Sequence, residues 1–144
     1  VMVDENWEKI IHTSSVQWPI FEDQMEFLIR NKPRTLIVDG PMIYMLGYKY
    51  SYENLLSSIK NLEFLLENGV KELIIDHHML RDLNYIQIMN KLREKFPNQK
   101  ITTAAEYMGM QVELLEARRR ELFKKEPIAY EGRDKAESLE GNDG

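Results

Sequence analysis

The stretch Thr35-Leu36-Ile37-Val38-Asp39-Gly40-Pro41 decides the fold class. Its apolar, β-branched run suits a strand covered on both faces, and Asp-Gly-Pro ends it. The same grammar returns at Leu73-Ile74-Ile75-Asp76-His77-His78. Between the two runs lies a helical pattern. Ser51 is a good N-cap with Tyr50 and Leu55 as a hydrophobic staple, Leu55, Ile59, Leu62 and Leu66 form the stripe, and Gly69 ends it. Upstream, Glu8 to Val16 reads as a strand running into a polar loop. The spacing of Phe21, Met25 and Leu28 predicts a helix over Ile20 to Lys32, stopped by Pro33. Downstream, Tyr85, Met89, Leu92 and Phe96 share one face of a helix from Leu83 to Phe96, broken at Pro97. Ile101-Thr102 is a last short strand, and Thr103 with Glu106 forms a capping box for a final helix bent near Gly109. Strands alternating with helices argue for an α/β layer structure.

Composition narrows the function classes. The chain has 144 residues, one ordinary domain in size. It has no Cys, which excludes disulfides, a thiol nucleophile and Cys-bound zinc or iron–sulfur centres. The 24 acidic residues outnumber 19 basic ones, so bulk attraction to nucleic acid is not indicated and any such contact would have to be local. No run is long and apolar enough to span a bilayer, and no secretory segment follows Val1, so a cytoplasmic location without membrane contact is expected. The Val start implies a processed terminus or a piece of a longer protein. From Glu126 to Gly144 apolar content drops, and residues 126–144 read as a flexible polar tail after a domain over 1–125.

Chemistry is expected where buried strands end. If the two runs are parallel, Asp39 and Asp76 share one sheet edge, where ligands gather in open α/β sheets. A turn-forming role comes first for Asp39, before Gly-Pro, and is weaker for Asp76, which two histidines follow. Neutral imidazole beside carboxylate suits zinc or another divalent transition metal, which makes His77, His78 and Asp76 candidate ligands. Tyr44 and Tyr48, with Asp39, are candidates for lining a substrate cleft, against the plainer reading of a long loop packed on its own domain. Arg118, Arg119, Arg120, Lys124 and Lys125 read as a solvated face paired with Glu113, Glu116 and Glu121.

Several of these segments together resemble a known family. Thr35 to Ser51, Leu73 to Asp82, Thr103 to Gly109 and Leu115 to Leu122 are similar to the C-terminal part of an archaeal family within the metallo-β-lactamase superfamily. The resemblance covers about Ile11 to Lys125. It implies the second half of an αββα sandwich, incomplete without an N-terminal half, and metal-dependent hydrolysis by the completed protein. It places His77 or His78 as the closing metal ligand. The His-x-His-x-Asp-His stretch that supplies most ligands is absent from this chain. Ser15 stands at the position of the family's metal-bridging Asp, and Trp18 at that of a Gly. A neutral hydroxyl is a poor bridge between cations, so Ser15 is expected not to ligate.

The function expected on this basis is a hydrolase portion that is inactive by itself, with a non-catalytic interaction module of the same descent as the alternative. Asp76-His77-His78 is also similar to the central motif of DHH-type phosphoesterases, whose further Asp-rich motifs are missing upstream of Asp39. The expected partner is an N-terminal half of the same fold or a second copy of the chain.

Overall fold

A computed structural model describes residues 2–5, 8–13, 19 and 21–125. The expectations for Ser15, Trp18 and the segment 126–144 fall outside the described residues.

Five strands form one sheet in sequential order. Strand β1 (Met2–Glu5) lies antiparallel to β2 (Glu8–His12) at one edge. β2, β3 (Thr35–Val38), β4 (Glu72–Ile75) and β5 (Lys100–Thr103) are all parallel. The connecting helices are α1 (Glu22–Asn31), α2 (Tyr52–Glu67) and α3 (Tyr85–Lys95). Right-handed crossovers between successive parallel strands put every connecting helix on the same side. The core shows this: Leu28 of α1, Leu62 and Leu66 of α2, and Met89 and Leu92 of α3 pack in one cluster with Ile11, Leu36, Val38, Leu73, Ile75 and Ile101. Leu62, Leu73, Ile75 and Met89 are fully buried, and each such side chain contributes about 2 kcal/mol.

Local chemistry accounts for the helix limits. The Ser51 hydroxyl accepts from Asn54 N–H at 3.1 Å, as its N-cap position predicts. α1 stops at Lys32, which adopts the left-handed conformation at φ 48° just ahead of Pro33. Phe21 sits at the N-cap rather than in the stripe and is 65% exposed. The Thr103–Glu106 capping box forms, but it opens only the single turn α4 (Ala104–Tyr107). The chain then turns through Gly109 at φ 69° and resumes as the separate helix α5 (Arg119–Lys125). The expected single bent helix is therefore two short ones.

The half-sandwich expectation is corrected. The described residues form a small α/β domain with one mixed sheet and its own closed core. Half of an αββα sandwich needs a second sheet face apolar enough to pack against another sheet. Here that face alternates. One row across the strands reads Ile10, Thr35, Glu72 and Lys100; the next reads His12, Ile37, Ile74 and Thr102. The Thr35 hydroxyl donates to the Glu72 carboxylate at 3.0 Å on this face. Runs that look apolar on both sides in sequence thus present a mixed surface away from the helices.

Candidate functional site at the carboxyl edge of the sheet

Parallel pairing brings the carboxyl ends of β2, β3 and β4 to one edge. His12 is the last residue of β2, Asp39 follows β3, and Asp76-His77-His78 follows β4. The ladder runs on past the strands: Thr13 N–H donates to Ile37 O at 3.0 Å and Asp76 N–H to Val38 O at 3.0 Å. The edge is therefore held by backbone up to the residues that carry its chemistry.

The loops after β3 and β4 are locked together. Met79 N–H donates to the Asp39 carbonyl at 3.3 Å. A Cβ built on Gly40 would lie 2.4 Å from Met79 Cβ, and Gly40 holds φ 75°, so space and backbone both require glycine here. His77 takes φ 55°, a left-handed conformation in which His, Asn and Asp are enriched among non-glycine residues. The turn leaves His77 exposed and His78 half-buried, with ring centroids 4.4 Å apart. A one-turn 3-10 helix, Met79–Arg81, follows.

Electrostatics single out His78 of the two. Burial chiefly, then the charges of His77 and Arg81, hold its pKa below the usual histidine range, while the Asp39 carboxylate pulls the other way. His78 Nδ1 is buried without a hydrogen-bond partner among the described residues. Asp39 also faces His12, with Oδ1 3.7 Å from Nε2. Asp39 thus acts on an imidazole from each neighbouring strand.

The other expected residues take different places. Asp76 is half-buried and extends the ladder. Tyr44 lies half-buried in the one-turn helix Ile43–Met45, and Tyr48 is 80% exposed at the loop tip, with Lys49 Nζ 5.6 Å from its ring centre. Tyr50 anchors the loop instead: its buried hydroxyl is 3.3 Å from Ser58 Oγ. The basic residues near the end of the described chain pair locally, Arg118 with Glu121 and Arg119 with Glu116. His12 and Arg81 were not anticipated. The signal for His12 was available, because the first parallel strand must end at the same edge as the others.

The donors do not assemble a metal shell. Among the described residues no group of three or more His, Asp or Glu side chains is placed to hold an ion. Zinc wants three or four protein ligands converging on one point, and the geometry here offers pairs.

The chain is similar to the UPF0282 proteins of archaea. That of Korarchaeum cryptofilum is 41% identical over 132 residues, covering 89% of this chain and 43% of the relative. That of Sulfurisphaera tokodaii is 44% identical over 119 residues, covering 81% and 39%. That of Saccharolobus solfataricus is 37% identical over 128 residues, covering 88% and 42%. The chain spans about two fifths of the length of these relatives. No family model matches, and no solved structure matches. The expected kinship with the metallo-β-lactamase superfamily is corrected accordingly: the likeness found is to UPF0282 proteins, and nothing in it points to that superfamily. No helix among the described residues is long and apolar enough to cross a membrane.

Proposed function

We propose that the carboxyl edge of the sheet is an acid–base site for hydrolysis of an ester or phosphoester, with His78, Asp39 and His12 as its working residues. The observation that carries this reading is the Asp39 carboxylate 3.7 Å from His12 Nε2, at the edge shared with a half-buried His78 whose pKa is lowered chiefly by burial. A neutral imidazole can take a proton from water, and a nearby carboxylate stabilises the imidazolium that forms. A buried ring nitrogen without a partner costs about 1–3 kcal/mol, and a side chain kept at that cost supports a role beyond packing. No step is routed through zinc or another divalent metal, because the described donors do not fit one.

The test is hydrolysis of nitrophenyl esters and phosphoesters by the whole chain. The reading expects turnover that falls at least about a hundredfold in His78→Ala and in Asp39→Asn, in line with ordinary acid–base contributions. Turnover equal to wild type in both variants would overturn it.

A second reading, an interaction module, is favoured by the outer surface of α1 and α2. Ile29 and Phe64 are 45% and 43% exposed there. Ile29 and Phe64 also line a cleft of about 410 Å³ with Met25 and Asn61. Self-association is the simplest use of such a surface. Light scattering at micromolar concentration tests it, with a dimer expected and a strict monomer contradicting it.

A further inference from the structure

Arg81 closes the one-turn helix after His78, and its backbone N–H donates to the His78 carbonyl at 3.4 Å. Its side chain is half-buried. Among the described residues its guanidinium makes no ion pair and no side-chain hydrogen bond, whereas Arg30, Arg34 and Arg93 are each paired with a glutamate. The next carboxylate in the chain does not serve it. Asp82 Oδ1 instead accepts from Asn84, from the backbone N–H at 2.8 Å and from Nδ2 at 2.9 Å. A half-buried guanidinium left without a carboxylate keeps a planar fork of donors that matches an oxyanion. Its positive charge also bears on the imidazole of His78, together with that of His77. The Asp39 carboxylate faces His12, with Oδ1 3.7 Å from Nε2.

We propose that Arg81, with the imidazole of His77, binds the phosphoryl group of a phosphorylated substrate beside His78. This rests on reading the carboxyl edge as the working site and adds the class of substrate it takes. Arg81 supplies the bidentate contact, and the exposed His77 supplies a second donor from the same turn. The two rings lie with centroids 4.4 Å apart, so a phosphate dianion bound at this turn should be felt at both histidines.

The experiment uses the whole chain and inorganic phosphate at constant ionic strength, read from the side-chain 15N signals of the histidines. The expected result is saturable shifts at His77 and His78, reproduced by sulfate and not by chloride. Arg81→Ala should weaken binding at least about tenfold and Arg81→Lys less, as expected when a charge-assisted fork is lost or replaced by a point charge. Arg120→Ala, an exposed arginine on α5, should bind like wild type. If Arg81→Ala does not fold, Arg81→Lys and Arg81→Gln carry the comparison. No saturable shift, or equal affinity in wild type and every Arg81 variant, would overturn the proposal. Binding is measured without turnover, so a failure here is separable from a failure of the acid–base reading.

Discussion

Met79 and Gly40 meet so closely that a single added carbon would collide: the Cβ position on Gly40 is 2.4 Å from Met79 Cβ. With the 3.3 Å hydrogen bond from Met79 N–H to the Asp39 carbonyl, this contact fixes the turn bearing His77 and His78 against the turn bearing Asp39. The site at the sheet edge is therefore built by backbone, and its side chains inherit their positions.

Gly40→Ala tests that seat. The substitution meets a backbone at φ 75° as well as the Met79 side chain. Together these should cost about 2–4 kcal/mol of stability. Urea unfolding measures it, and a loss below about 0.5 kcal/mol, within the range of ordinary surface changes, would show that the loops are not locked.

His77 sits at φ 55°, so its replacement should depend on backbone more than on chemistry. His77→Gly is expected to be neutral or slightly stabilising, and His77→Val to cost about 1–2 kcal/mol. Thermal melts of the two variants check this order. Equal stability would mean that the turn relaxes freely.

Much of the fold was legible in the sequence, and its failures have physical causes. Thr35–Val38 and Leu73–Ile75 announced their strands, and Ser51, Thr103 and Glu106 announced caps that form as read. The faces of those strands were not legible. In a four-residue run without charge, only pairing reveals that Thr35 meets Glu72 away from the helices. The break between α4 and α5 is not legible from Gly109 alone: a glycine there suits a bend as well as an end, and φ 69° makes it an end. In the site, Asp39, His77 and His78 were visible as strand-end residues. His12 and Arg81 were not, because their relevance comes from the parallel order and from the ion-pair partner that Arg81 lacks among the described residues.

Stability should depend on pH through His78. Its folded pKa lies below the unfolded value, so the unfolded state binds more protons in the interval between them. The contribution of neutral His78 is fully present above the unfolded value, near 6.5, and is lost as pH falls toward the folded one. Urea unfolding at several pH values across that interval should show stability declining on acidification, and less steeply in His78→Gln. Identical slopes would contradict the assignment.

Metal titration should be unremarkable. With no described group of three donors converging on a point, calorimetry with zinc should show weak binding to the chain. Tight one-to-one binding would mean that His12, Asp39 and His78 rearrange around an ion.

The central claim is that Asp39 and His78 act on each other at the sheet edge. The chain has only three histidines, so each can be followed by its side-chain 15N signal as pH is varied. The account predicts that His78 titrates below the ordinary histidine value. It also predicts that Asp39→Asn lowers that value further, because the carboxylate is what opposes the depression. A His78 that titrates at its ordinary value and ignores Asp39→Asn would contradict the account.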